Sequence, residues 1–312
     1  MRPILTVVLA ASVSGALPAA PSVAPAAGSL VPDELPGAAL PVTQSHTYRM
    51  SGRVRALLLW VGRDDVGSGR IRWRGGPAGT DGNGYELLIG SDPSRAPGGL
   101  NKWGYLAEQV QDGECDVVGV ISKSDEEGLR DVKAGFGGVP SGRPFDTIRG
   151  RVNSHLAFAR VTTVHAPGNV TYREADAVLA LAFGDGADGM KQIDRPSGVR
   201  PGFLSSVAEI IRTSVARAAR GQPLGPQALR YVYGDRLYEL RLLDATPLAR
   251  FQGGGHSYEH VVRARFETAQ AGTRGGDRFE LVYGTSGPLA EIPIVISYQP
   301  KWWLQVELTI ES

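Results

Sequence analysis

The sequence predicts a mainly β protein of the α+β class: antiparallel curved sheets or partial barrels, a few short helices, and one amphipathic helix packing on a C-terminal sheet. Three observations carry this. Strand-like runs alternate with turns along most of the chain, and glycine, at 41 of 312 residues, far exceeds the usual share of about 7%. Leu204, Val207, Ala208, Ile211 and Val215 recur at helical spacing on one face. In the last run Trp302, Leu304, Val306, Leu308 and Ile310 alternate with Trp303, Gln305, Glu307, Thr309 and Glu311, which gives a strand one apolar face and one polar face after Trp303.

Taken in order, residues 1–26 read as a signal peptide. Arg2 supplies the positive region, Ile4 to Ala11 is apolar, and Ala24 and Ala26 form a small-residue cleavage site. Cleavage after Ala26 is favoured over Ser14/Ala16, and cleavage after Ala24 would leave Pro25 in a disfavoured position. Residues 27–45 are a Pro- and Ala-rich lead-in expected to be disordered. An N-terminal β-rich domain is expected over 46–184, with strands at 47–61, 69–74, 85–90, 103–110, 116–122, 145–152 and 155–164. Two short helices interrupt them, each opened by a capping box: Ser124 with Glu127, and Thr171 with Glu174. Residues 185–200 are breaker-rich and read as a linker. The C-terminal unit, 201–312, opens with a helix entered at Pro201 and ended at Gly221. An antiparallel meander follows, in which Gly234-Asp235 is a two-residue hairpin turn that sets Tyr231 opposite Tyr238 in the core and Arg230 opposite Glu239 as a solvated ion pair.

Composition bounds the function. The formal charge is +1, and removal of Arg2 leaves 32 basic against 32 acidic residues, so there is no global field to attract nucleic acid. No apolar run after residue 30 approaches the ~18 to 20 residues of a transmembrane helix; the longest is Ala56 to Val61. Cys115 is the single cysteine, so neither an internal disulfide nor a lipid-anchored export signal is available. The expected product is exported, periplasmic or secreted, and folded by core burial alone.

The run Phe279 to Tyr283, followed by Ile292-Pro-Ile-Val-Ile-Ser-Tyr-Gln-Pro-Lys-Trp-Trp-Leu-Gln-Val-Glu-Leu308, resembles the close of exported bacterial β-sheet proteins of unknown function. The phrase Tyr85-Glu-Leu-Leu-Ile-Gly-Ser-Asp-Pro-Ser-Arg-Ala-Pro97, with Asn101 to Tyr105, is similar to uncharacterised secreted chains of that kind. The resemblance implies exported β-rich architecture and no activity.

Several residues are candidates for binding. The loop from Ser91 to Gly99 is rigid at two prolines and carries Asp92 and Arg95, as a ligand-recognising loop or as an Asx-capped turn. Trp103 with Tyr105, Trp302 with Trp303, and the pair Tyr231 and Tyr238 offer ring faces for a ligand, or simply core. Arg70, Arg72 and Arg74 alternate along a strand, an array that Arg53 and Arg55 extend if their strands pair; such a face docks a glycan or is paired with carboxylates. His256 and His260 have metal-ligand spacing for a helix, but in a strand they lie roughly 13 Å apart at about 3.3 Å per residue. They read as one turn and one strand histidine, and no metal or other cofactor is expected. Asp64-Asp65 with Gly67 and Gly69 lacks the remaining ligands of a calcium loop and reads as a hairpin turn. No nucleophile elbow, zinc-protease helix or phosphate loop is present. Cys115 sits in a polar segment whose carboxylates raise its pKa. These features favour a non-enzymatic protein binding an apolar or amphipathic envelope ligand, a lipid or glycan, or an envelope partner protein on the concave face of its C-terminal sheet. The alternatives are a hydrolase of envelope glycan or lipid using Asp92, Glu259 or His260, and a structural assembly protein using its sheet edges.

Overall fold

The computed structural model describes residues 40–56, 59–75, 82–96, 99–123, 142–167, 170–171, 174–183, 191–273, 275–301 and 304–311. The signal peptide, most of the lead-in, the Ser124 capping box and Trp302 lie outside the described residues. The strands are β1 (Val42–Ala56), β2 (Leu59–Gly75), β3 (Asn83–Ser91), β4 (Trp103–Gln111), β5 (Glu114–Ser122), β6 (Arg143–Val152), β7 (Leu156–Ala166) and β8 (Lys191–Asp194), then β9 (Gln227–Tyr233), β10 (Arg236–Gly253), β11 (His256–Gln270), β12 (Asp277–Gly284), β13 (Pro293–Lys301) and β14 (Leu304–Ile310). Two helices join them, α1 (Ala175–Phe183) and α2 (Phe203–Ala219). The mainly β prediction holds.

All fourteen strands form one antiparallel sheet in the order β8-β7-β6-β5-β4-β3-β2-β1-β14-β13-β12-β11-β10-β9. The first and last strands meet in its middle, where Tyr48 pairs with Ile310 and Gly52 with Val306. From β1 the chain meanders to one edge, crosses as α2, and returns from the other edge to the middle. The sheet is rolled. α2 touches β9 and β10 near one edge and β3 and β4 well inside the other half, which a flat sheet cannot allow. The turn between β9 and β10 lies on β6 and β7, so a Cβ at Gly234 would stand 3.2 Å from Val161. Lys191 of β8 bonds Asp235 across the same seam at 3.2 Å. Arg200, just before α2, exchanges backbone hydrogen bonds with β9 at Arg230 and Val232. Among the described residues, β8 and β9 themselves do not pair.

Alternation then sorts the side chains. The concave face supplies the main core, with Tyr48, Leu106, Tyr231, Tyr238, Phe266, Phe279 and Leu308 among its buried members. The convex face of β3 to β6 carries Leu88, Trp103, Tyr105, Val120 and Phe145 under Ala175, Val178 and Leu179 of α1. The capping box at α1 forms as expected: the Glu174 carboxylate accepts from the Thr171 amide at 2.8 Å and from its hydroxyl at 2.5 Å.

Local readings are refined at several points. β1 begins at Val42, four residues ahead of His46. Asp64 and Asp65 do not turn the chain. They lie in a bulge of β2, where the partner of Met50 is Gly67 but that of Gly52 is Arg63, and Asp65 takes a left-handed φ of 59°. Residues 185–200 contain the edge strand β8, whose sequence Lys-Gln-Ile-Asp is too short and polar to stand out. The β9–β10 hairpin has the predicted register, but Glu239 bonds Arg241 through both oxygens, at 2.9 and 3.0 Å. Cys115 is not in a turn. Asp112 and Gly113 make that turn, both with positive φ, and Cys115 points inward opposite Val110.

A candidate ligand crevice between the long helix and the sheet

The site begins with one buried carboxylate. Glu108 shares the concave face with Leu106 in the alternation of β4, and it is 1% exposed. One oxygen, Oε1, accepts from the amides of Phe203 at 2.7 Å and Leu204 at 3.0 Å, and Oε2 accepts from Ser205 at 3.0 Å. These are the orphan donors that every helix start must satisfy, met here by a strand nearly a hundred residues earlier. Gly202 permits the approach, because a Cβ there would lie 2.2 Å from Glu108 Oε2. Burial pushes the Glu108 carboxyl above its usual range, and the helix amides pull the other way without prevailing.

Held at that end, α2 lies inside the roll. Its most buried residues are Phe203, Ser206, Ile210, Ile211 and Ser214, so the sheet contacts more of its circumference than the predicted stripe of Leu204, Val207, Ala208, Ile211 and Val215. Phe203 packs on Tyr231 and Phe279, with ring centroids 5.5 and 6.2 Å away. Small Ser206 and Ser214 allow the helix to sit close to the sheet, and Ser206 returns its hydroxyl to the Gly202 carbonyl at 2.6 Å.

On the opposite flank the fit is looser. Leu204, Val207, Ala208 and Ile211 face Ile71 and Trp73 of β2, Leu87 of β3, Leu281 of β12 and Ile296 of β13 across a cavity of about 90 Å³. Its walls are almost wholly apolar. Polar groups gather where it meets solvent. Tyr85, hydrogen-bonded to Arg212, and Glu291, whose Oε2 lies 3.7 Å from Arg212 Nε, stand together there. Burial raises the Tyr85 phenol pKa. A larger hollow of about 370 Å³ near the β4–β5 turn is lined by Gln109, Gln111, Glu114, Asp116 and Arg151, but Arg151 and Asp116 already satisfy each other in a two-pronged bond of 2.6 and 2.8 Å. The smaller, apolar crevice is the stronger candidate because ligand sites are chiefly apolar with a few convergent polar groups.

The residues singled out in the sequence lie in several places. Tyr231 and Tyr238 are buried and stacked at 5.6 Å beside the helix, and the Tyr231 hydroxyl bonds Thr268 at 2.6 Å. They back Phe203 rather than line the crevice. Trp103 is fully buried on the convex face, its indole N–H donating to the Val170 carbonyl at 3.3 Å. Asp92 makes an Asx turn through the Ser94 amide at 2.9 Å, and Arg95 bridges Asp65 and Asp92. Glu259 pairs with Arg250 at an exposed hairpin. His260 is exposed with φ 52°, and its carbonyl accepts from both the amide and the hydroxyl of Thr285. His256 closes the turn at Gly254 and Gly255. No cluster of three metal-ligating side chains occurs among the described residues. Arg70, Arg72 and Arg74 are buried around Glu86, with closest approaches of 3.0, 3.7 and 2.9 Å; Arg53 pairs with Gly62, well away from them. Burial, and secondarily the charges of Glu108 and Asp116, push the Cys115 thiol up.

The fold and crevice define a rolled-sheet protein with an internal helix. No family model matches the chain. No curated protein matches it either. Among solved structures the chain is similar to a β-barrel-like protein of domain of unknown function DUF1849 from Brucella abortus, at 9% identity and a TM-score of 0.40, over 88% of this chain and 96% of that one.

Proposed function

We propose that this is a non-enzymatic binding protein, exported to the periplasm or beyond, that takes a long-chain acyl or similar amphipathic molecule between α2 and the sheet. The observation that supports it is the apolar crevice bounded by Trp73, Leu87, Val207 and Ile211 and rimmed by Tyr85, Arg212 and Glu291. The cavity holds only a few water-sized volumes. An acyl chain therefore enters by displacing α2 from β2 and β3, while Glu108 keeps the start of the helix in place. Native mass spectrometry of the mature protein with palmitate tests this. One equivalent is expected to bind, and Val207→Trp, which fills the crevice, is expected to weaken binding at least tenfold while thermal unfolding confirms a folded variant. Equal binding by the two proteins, or none by either, overturns the reading.

A further inference from the structure

Beyond Gly52 and Val66 the β1–β2 hairpin leaves the body of the protein. Met50 and Val66 are buried at its base, whereas residues 60–65 are exposed on both faces of the strand. Trp60 is 42% exposed and Val61 61%. Other exposed apolar residues, such as Val42, Leu181 and Leu243, are scattered and ordinary for a soluble surface. Trp60 and Val61 are adjacent, and between Arg53 and Arg63 the sequence reads Val-Arg-Ala-Leu-Leu-Leu-Trp-Val-Gly. Residues 57 and 58 lie outside the described residues, and the inference rests on the strands that flank them.

Charge is graded along this arm. Arg53 pairs with Gly62 and Arg55 with Trp60, so Arg53, Arg55 and Arg63 form its outer half. The carboxylates Asp64 and Asp65 come only at its base, where Asp65 is engaged by Arg95 at 2.5 Å. We infer that the arm docks onto an anionic lipid bilayer surface, with Trp60 and Val61 inserted and the arginines at headgroup level. The dimensions fit: Ala56 pairs with Leu59, Arg53 lies three residues before Ala56, and three residues span about 10 Å at 3.3 Å each. That equals the ~5–10 Å reach of interfacial insertion. An aromatic ring at the interface and cations facing anionic lipid are the expected partners of such a surface.

The test is flotation of the full chain with vesicles of phosphatidylcholine containing phosphatidylglycerol, compared with phosphatidylcholine alone. Because Trp60 and Val61 are exposed, Trp60→Ala with Val61→Ser leaves the fold intact, as circular dichroism checks. Wild type is expected to float with the anionic vesicles and to be released by salt. The apolar double variant is expected to lose about tenfold or more in partitioning. Arg53→Glu with Arg63→Glu is expected to lose at least as much on anionic vesicles. Equal flotation of variants and wild type overturns the inference, as does failure of wild type to float. Self-association that the Trp60 variant abolishes, without vesicle binding, overturns it in favour of a second copy as occupant.

Discussion

Glu108 is a charge placed where the alternation of β4 demands an apolar residue, and it is stable there because three helix amides converge on it. Glu108→Gln keeps the shape, but its amide group then faces the Ser205 N–H, which loses its acceptor. A cost of about 1–3 kcal/mol is expected in chemical denaturation. The pH dependence has a definite sign. Burial raises the folded-state pKa above the unfolded value of 4.5, so the contribution of this group is fully present below that value and is lost as pH rises through the folded pKa. Wild type is therefore expected to lose stability relative to Glu108→Gln as pH climbs from about 4 toward neutrality; parallel stability curves for the two proteins would rule this out. The clue in the sequence was Glu108 on the same strand face as Leu106 and Val110, but the identity of its partner depends on a helix that no local pattern connects to β4.

At the scale of single elements, α2 is positioned by what it lacks as much as by what it carries. Gly202 has an extended φ of −158°, which any residue adopts, so its role is room for Glu108 rather than backbone freedom. Gly202→Ala is expected to cost about 2–3 kcal/mol through overpacking, read as a lowered thermal midpoint. The same substitution at Gly225, where a Cβ meets nothing, serves as the neutral control; similar midpoints for the two variants would contradict the packing argument. Elements whose register is set by their own turn were legible beforehand. Gly234-Asp235 fixed Tyr231 against Tyr238, and Thr171 with Glu174 fixed the start of α1. Those that depend on distant chain were not. The Asp- and Gly-rich part of β2 has turn composition yet continues as strand because β1 and β3 pair with it on either side of the bulge. Arg70, Arg72 and Arg74 have the composition of a solvated face but are buried around Glu86.

For the molecule as a whole, the path of the chain explains why a helix lies within the roll. β8 ends at one edge and β9 begins at the other, and α2 is the connection, so rolling the sheet around it joins the edges by a short route and buries the apolar flank of the helix. One concave core contains residues from β1 to β7 and from β9 to β14. Calorimetric unfolding is accordingly expected to show one cooperative transition, with calorimetric and van't Hoff enthalpies equal. Two resolved transitions, one for each side of the β1–β14 seam, would show that the halves are energetically separate. The crevice was the least legible feature, because its walls come from β2, β3, β12, β13 and α2, each of which reads simply as core.

The pairing of Tyr48 with Ile310 also has a bearing on biosynthesis. β1 is made early, but the neighbour that covers its outer edge is the last strand of the described chain. Until residue 310 has emerged, each arm of the meander carries a bare strand flank that water or a foreign strand can occupy. Loop closure across some 260 residues makes that final pairing slow. The nascent chain is therefore most exposed to aggregation before β14 docks, and a holding chaperone is expected to act in that interval.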